Sequence, residues 1–292
     1  MNIYNLLRRI CTTKQYVNLK TLCSIKIGGI ARYVCYPNKT SQLKKLVYVL
    51  NKYKIQYHLI GKGTNIIFED GFRNFVLICT DKLNKYYAKK NTVFAFCGLG
   101  LNKLNYYLYQ NGIGGLEWSY GIPGSIGGAT VMNAGAFKNE MSNFIKYAVV
   151  LSNNHYKVIS NRQLNFGYRN SIIKNSNIIV VKVCLNLFLS NSQIIKQKQL
   201  NYVNLRKQSQ PLNYLSCGSV FLKTNNESAG KIIDKMGLKG VKLGEAQISN
   251  KHANFFINLS CASSKDMHNL IDMVKSMAKS KGIYLQEEVI FI

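Results

Sequence analysis

Residues 115–137, GLEWSYGIPGSIGGATVMNAGAF, hold six glycines and one of the chain's three prolines, with Glu117 as their only charged side chain. Gly121-Ile122-Pro123-Gly124 reads as a tight turn, because proline presets φ and glycine permits φ > 0. Gly127-Gly128-Ala129 then strips away side-chain bulk, so that a backbone or a flat ligand can come close. Amides left free in such a run can cradle phosphate oxygens. A flexible glycine connector is ordinarily polar and low in complexity. With Trp118, Ile122, Ile126 and Met132 in it, this stretch reads instead as a buried loop facing a ligand.

The chain around it is basic, with 39 Lys and Arg against 12 Asp and Glu in 292 residues, a net charge of +27. That balance admits a nucleic-acid partner. Such a protein gathers its cations and interleaves stacking aromatics, whereas the lysines here are dispersed and the tyrosines scattered. Lys, Asn, Ile and Tyr are the residues an A/T-rich genome encodes most readily, and an anionic small-molecule substrate suits the charge as well. A hydrophobic fraction of 47% with 11% aromatics excludes a disordered chain, and the length allows two or three domains. No apolar run is long enough to span a bilayer. At the N-terminus, Arg8 and Arg9 follow a short apolar patch, the reverse of a secretory signal. A short first helix is expected there, with an amphipathic transit peptide as the alternative.

Cysteines stand at 11, 23, 35, 79, 97, 184, 217 and 261, with no CxxC pair and no histidine at ligand spacing. Most lie in apolar runs, where a thiol serves as a small hydrophobe. A reducing cytoplasm and no structural metal are expected.

Outward from the central stretch, residues 19–37 read as a strand-like segment broken at Gly28-Gly29. Leu43, Leu46, Val47 and Leu50 fall at helical spacing. YHLIGKGTNIIF places Gly61 to Asn65 between two apolar strands, either an anion-binding loop or an ordinary hairpin. FVLICT and TVFAFCG read as strands, residues 101–112 as a helix ended by Gly112, and YAVVLS and NIIVVKVCLNL as strands around FGYRNS. Residues 191–209 read as a polar, helical linker. GSVFL, AGKIIDKMG and NFFINL follow as strand, helix and strand. Ser263 and Asp266 open a helix whose Leu270, Ile271, Val274, Met277 and Ala278 share a face, and YLQEEVIFI reads as a last strand. Strands and helices mixed in this way indicate an α+β or α/β protein.

In this order, IKIGGIARYVCYP, LIGKGTNIIFEDGF, the 115–137 stretch, FGYRNSI, SCGSVFLK, AGKIIDKMGLKGVKLGEAQISNKHANFFIN and LQEEV resemble the UDP-N-acetylenolpyruvoylglucosamine reductase family, in its shorter class without an extra tyrosine-bearing loop. The resemblance implies an α+β fold: an FAD-binding domain of the vanillyl-alcohol oxidase type, made of two α+β subdomains, then a smaller α+β substrate-binding domain. The boundaries expected are 1–190 for the first, with subdomains about 1–80 and 81–190 and with 283–292 returning to it, and 205–282 for the second. It further implies FAD as cofactor and NADPH as co-substrate. The reaction implied converts UDP-N-acetylglucosamine-enolpyruvate to UDP-N-acetylmuramate for peptidoglycan, in the cytoplasm, by a monomer with neither nucleic-acid nor membrane partner. This sequence departs from the family at Thr64 for Ser, Ile30 for Pro, Glu245 for Gly, and in lacking Asn-Pro within LKTNN.

Reducing an enol ether builds negative charge on the substrate and then needs a proton, which calls for a donor and a cationic partner. By resemblance Ser219 is the proton donor, Arg169 the cation and Glu288 the third catalytic residue. On residue type alone, a strand serine bonded to backbone, a surface arginine and a solvated Glu287-Glu288 pair are the ordinary readings. Gly61, Gly63, Thr64 and Asn65, with Gly124, Ser125, Gly127 and Gly128, would hold the cofactor pyrophosphate through backbone amides. Tyr168, Arg206 and Lys223 are candidate substrate contacts, each equally readable as a solvated side chain. His252 could contact ligand, although a hydrogen-bonded structural histidine is the ordinary reading, and Asn254 beside it is a weaker ligand candidate still. The competing functions are another flavin oxidoreductase of the same superfamily and a decayed, inactive homologue.

Overall fold

The computed structural model describes residues 2–224 and 227–292; Asn225 and Asn226, the end of the LKTNN departure, lie outside them. The chain begins with α1 (Ile3–Arg8), β1 (Thr12–Asn18), β2 (Ile30–Tyr36), α2 (Thr40–Lys52), β3 (Tyr57–Ile60), β4 (Ile66–Ile67) and β5 (Phe72–Cys79). β6 (Tyr86–Lys89), β7 (Thr92–Phe96), α3 (Leu101–Gln110), β8 (Ile113–Gly114), α4 (Ile126–Val131), β9 (Gly135–Ala136) and β10 (Asn139–Glu140) follow. Then come β11 (Ile145–Ser152), β12 (His155–Ser160), α5 (Asn161–Leu164), β13 (Ile179–Asn186), β14 (Phe188–Leu189) and α6 (Ser192–Ser209). The chain ends with β15 (Leu215–Ser219), α7 (Ala229–Lys235), β16 (Lys242–Leu243), β17 (Ala246–Ile248), β18 (Phe255–Asn258), α8 (Ser264–Lys279) and β19 (Ile290–Phe291).

Two compact units form, each from separated stretches. One comprises Met1–Gln15, Tyr33–Lys62 and Phe75–Asn204; the other comprises Tyr16–Arg32, Gly63–Asn74 and Leu205–Ile292. Two early stretches, Tyr16–Arg32 and Gly63–Asn74, group with the C-terminal third. The end of the chain does return to early residues, with β19 pairing parallel to β4 through Ile290 opposite Ile66 and Phe291 opposite Ile67.

In the first unit a five-stranded antiparallel sheet runs β12-β11-β13-β7-β6. Helix α4 packs on β13 and β7, and Val93, Ala95, Val183, Leu185 and Ile126 are buried in the core there. Helix α2 buries Leu43, Leu46, Val47 and Leu50, the stripe its spacing predicts. A four-stranded sheet, β1-β2-β5-β3, has β3 parallel to β5. Flanked by parallel pairings of β3 with β5 and of β4 with β19, the 61–65 loop is therefore no hairpin.

In the second unit an antiparallel sheet runs β15-β18-β17-β16. Helix α8 packs on β16 and β17. It starts as predicted, with Ser263 Oγ accepting from the Asp266 amide at 3.0 Å and Asp266 accepting from the Ser263 amide at 2.9 Å, a cap worth about 1 kcal/mol. Leu270, Ile271, Val274 and Ala278 are buried, but Met277 is 37% exposed; Met267, three residues before Leu270, is buried as well. Among the described residues, no helix is long and apolar enough to cross a membrane.

Candidate active site

Gly63 sits at φ +61°, and a Cβ there would run into the backbone of Leu22 and Cys23. Only glycine fits. Its carbonyl accepts from the Ser24 amide at 3.0 Å. At Gly61, in the other unit, an added Cβ would overlap Ser125 Oγ. Among the described residues, the backbone amides of Gly61, Lys62, Gly63, Thr64 and Asn65 donate to no protein acceptor, although Gly63 is buried. A buried donor without a partner costs about 1–3 kcal/mol, and successive unpaired amides around a left-handed residue form an anion-binding concavity. The Asn65 side chain is engaged elsewhere, donating to the Glu288 carbonyl at 3.0 Å.

The glycines of the central stretch behave differently. The Gly124 amide donates to Ile122 O at 3.0 Å and the Gly127 amide to Cys97 O at 2.8 Å, while the Gly128 amide caps onto Ser125 Oγ at 3.3 Å. Those three amides have partners within the protein. Gly127 lacks a side chain because α4 lies against β7's end, where a Cβ would come 2.9 Å from Cys97 Cβ. Ser125 remains as the N-cap of α4, and among the described residues its own amide has no protein acceptor. Upstream, Glu117 Oε2 accepts from the Gly115 amide at 2.8 Å. Ser119, Asn105 and Gln199 form a buried chain, with Asn105 Nδ2 donating to Ser119 Oγ at 2.8 Å and Gln199 Nε2 to Asn105 O at 3.1 Å.

The far end of the same stretch supports Arg169. Gly167 and Asn170 exchange hydrogen bonds at 3.0 and 3.2 Å, leaving Tyr168 and Arg169 at the corners of a turn. Arg169 has φ +53°, a conformation costing an L residue about 1–3 kcal/mol and found where a structure constrains it. The constraints are visible: Asn133 Nδ2 donates to Gly167 O at 3.0 Å, Arg169 Nη2 to Gly135 O at 2.8 Å, and Lys174 Nζ to Arg169 O at 3.2 Å. The guanidinium also lies 5.0 Å from the Tyr168 ring centroid, a cation–π contact.

In the second unit, β15 pairs with β18 as Ser216 with Ile257 but as Ser219 with Phe255, one residue out of step. Gly218 at φ +81° absorbs the extra residue, which makes this a glycine β-bulge, a device that re-aims the side chain beside it. That side chain is Ser219, half-buried. Past it, the Glu288 amide donates to Val220 O at 2.7 Å and the Leu222 amide to Gln286 O at 2.8 Å. The structure thus brings Ser219, Glu288 and Asn65 onto adjoining backbone. Glu287 is held by Lys275 Nζ at 2.8 Å, which separates the roles of the two neighbouring acids.

The chain's last 83 residues, 210–292, match the family profile described as UDP-N-acetylenolpyruvoylglucosamine reductase, C-terminal domain, and residues 31–157 match an FAD binding domain. The reductase of that name from Thermotoga sp. (strain RQ2) is 36% identical over 281 residues, covering 96% of this chain and 93% of the relative. The chain belongs to the UDP-N-acetylenolpyruvoylglucosamine reductase family. A crystal structure of the reductase from Thermus caldophilus superposes with a TM-score of 0.82 at 28% identity, over 96% of this chain and 98% of that one. Berberine bridge enzyme from Eschscholzia californica shares the fold alone, with a TM-score of 0.52 at 12% identity over 65% of this chain and 44% of that one. The α+β fold with an FAD-binding domain of the vanillyl-alcohol oxidase type therefore stands, and the protein is an FAD-containing oxidoreductase.

FAD fits the residues present in this reductase: the amides of Gly63, Thr64 and Asn65, without protein acceptors among the described residues, would suit its pyrophosphate, and glycine is enforced at 63. Of the substrate candidates, Arg206 is buried at 7% exposure, and desolvation holds its pKa below the usual arginine range. Tyr168 and Lys223 are exposed. His252 accepts the Asn254 amide at Nδ1, 3.2 Å, and burial lowers its pKa, as befits a structural histidine. Two residues around Ser219 went unrecognised in the sequence, Gly218 and the full role of Asn254. An isolated glycine within a strand pattern is a bulge signal, and CGSVF carried it.

Proposed function

We propose that this reductase reduces the enolpyruvyl ether of UDP-N-acetylglucosamine-enolpyruvate to the lactyl ether of UDP-N-acetylmuramate, for peptidoglycan, with NADPH as electron source. The observation that carries this is the bulge at Gly218, which directs Ser219 while Glu288 is held to Val220, the residue that follows it. FAD, when bound and first reduced by the two electrons of NADPH, would supply a hydride to the terminal vinyl carbon. As the carbon–carbon π bond breaks, electron density moves toward the substrate carboxylate. The fixed charge of Arg169, held by its turn, stabilises that density. Ser219 gives its hydroxyl proton to the α-carbon and regains one from solvent. Two hydrogens enter the substrate, one as hydride and one as proton, so the balance closes.

Glycine at 61 and 63 and the amides of the 61–65 loop support cofactor placement, with Ser125 beside Gly61. Arg206, buried and cationic, supports a role with the substrate's diphosphate or carboxylate, and Tyr168 and Lys223 are its exposed companions. Work in the cytoplasm as a monomer follows from the same reading.

The test starts with an absorption spectrum of the purified protein. A yellow preparation should oxidise NADPH only when the enolpyruvyl substrate is present. Ser219→Ala should still let NADPH bleach the flavin and should fail to reoxidise it with substrate. Normal turnover by Ser219→Ala defeats the assignment of the proton donor, and a colourless protein that ignores added FAD defeats the flavin chemistry.

A further inference from the structure

β15 cannot keep pairing with β18 in the ordinary way beyond Ser219, because the bulge has put the two strands one residue out of step. The residue next in line on β18's side is Asn254, 6% exposed. Its backbone carbonyl accepts the Val220 amide at 2.9 Å. Its side chain then does what a further residue of backbone would do: Oδ1 accepts the Phe221 amide at 2.9 Å, and Nδ2 donates to the Phe221 carbonyl at 2.8 Å. Both side-chain bonds are buried. On the other side of the same three residues, Val220 O accepts from Glu288 N and Leu222 N donates to Gln286 O. The segment after Ser219 is therefore clamped from both sides, and among the described residues Asn254 supplies the bonds to Val220 and Phe221 on one of them.

We infer that Asn254 is a positioning residue for proton delivery, fixing Ser219 relative to Glu288 by acting as a surrogate strand; this rests on Ser219 being the donor proposed above. The chemistry selects asparagine. Aspartate keeps the acceptor for Phe221 N–H and loses the donor, leaving a buried carbonyl and a carboxylate facing each other. Alanine loses both. The backbone of Asn254 is itself set by His252, whose Nδ1 takes its amide proton and whose ring stacks edge-on to Phe255 at 4.8 Å.

The experiment uses the FAD-loaded enzyme and compares Asn254→Asp, Asn254→Ala and Ser219→Ala. Three quantities are read: amide hydrogen exchange of the peptide spanning Ser216 to Leu222, the rate of flavin reduction by NADPH, and the rate of flavin reoxidation by the enolpyruvyl substrate in H2O and D2O. Expected for Asn254→Asp is faster exchange at Val220 and Phe221, flavin reduction within about twofold of wild type, and substrate reoxidation slower by about 10- to 100-fold, the scale set by sub-ångström to ångström misplacement of a reacting group. The solvent isotope effect on reoxidation should grow as proton delivery becomes limiting. Equal losses in both half-reactions with an unchanged isotope effect would show a merely structural residue and overturn the inference. Should Asn254→Ala not fold, the Asp variant decides alone. If Ser219→Ala is blocked with substrate and Asn254→Asp is normal, only the positioning role falls. If Ser219→Ala itself turns over normally, the donor assignment falls and the positioning role falls with it.

Discussion

Replacing Gly218 by alanine sets two energies against each other. The left-handed φ of +81° charges an L residue about 1–2 kcal/mol. A Cβ at this position meets nothing within 4 Å, so no steric term is added. Stiffening of the unfolded chain returns about 0.5 kcal/mol. The alternative is to abandon the bulge, which slips the register and turns Ser219 to the other face of the sheet. That route breaks the bonds beyond the bulge: Val220 N to Asn254 O, both Asn254 side-chain bonds to Phe221, and Glu288 N to Val220 O. At about 0.5–1.5 kcal/mol each, four such bonds hold the bulge with about 2–6 kcal/mol, more than the strain. The variant should therefore keep the bulge, lose about 1 kcal/mol of stability, and turn over substrate within a few-fold of wild type. Gly237, at φ +73° after α7 with nothing within 4 Å of its Cβ position, is the matched control and should lose a similar amount. Urea unfolding and substrate-dependent NADPH oxidation on both variants provide the measurement. A hundredfold loss of turnover in Gly218→Ala alone would show that the register gave way, and the bond count would be refuted.

Other outcomes follow from single contacts. Gly61→Ala overlaps Ser125 Oγ and should purify with less flavin, read as the ratio of visible to ultraviolet absorbance; full flavin content would remove Gly61 from the cofactor site. Gly127→Ala, 2.9 Å from Cys97 Cβ, should lower stability by about 1–3 kcal/mol whether or not FAD is present, and a loss that appears only in holoenzyme would contradict its packing role. His252 has a folded pKa below the ordinary histidine value of about 6.5, lowered chiefly by burial and also by Lys239, with a backbone hydrogen bond and Asp234 opposing. Its contribution to stability is thus complete above about pH 6.5 and is lost as pH falls below it. Between pH 7.5 and 5 the wild type should lose more stability than His252→Asn, and parallel profiles would exclude His252 as the source. Only Cys261 is exposed, and burial pushes Cys79, Cys97 and Cys217 up to about 12, so a thiol reagent should label one cysteine quickly in the native protein and eight after unfolding.

Much of the fold was legible where burial is one-sided. α2, α3 and α8 announce themselves because one stripe of each faces a core, and the Ser263/Asp266 cap is a local device with a local signature. β1 was missed because it buries only Thr13 in TTKQYVN, leaving no alternation to read. The last strand shrank to Ile290–Phe291 because Gln286 and Glu287 make single backbone contacts with Leu222 and Phe221 and form no ladder. The discontinuous units were hidden for a different reason: parallel pairing of β4 with β19 joins residues more than two hundred apart, and no periodicity records that. At the site, residue types were readable and their supports were not. Asn254 works by replacing backbone with side chain, which leaves no spacing to detect, and Gly218 was one glycine among 22.

The two glycine loops show why composition alone cannot assign an anion site. Both are rich in glycine, but a glycine is needed wherever chain passes close to chain as well as wherever it passes close to a ligand. What distinguishes the cases is the fate of the amides. Of the five from Gly124 to Gly128, four are spent, on Ile122, Leu99, Cys97 and Ser125, and the Ser125 amide alone has no protein acceptor among the described residues. From Gly61 to Asn65 five are unspent on protein among the described residues, and that leaves them free for an anion. The 115–137 stretch then has a second office at its far end, where Asn133 and Gly135 hold the Arg169 turn in a strained conformation. Arg169 and Ser219 are alike in this respect: each is aimed by a left-handed residue, its own in one case and Gly218 in the other, and each is kept there by an asparagine side chain bonded to backbone. Removing either asparagine should release the aim before it unfolds the chain, which is why exchange at single amides, and not melting, is the measurement that discriminates.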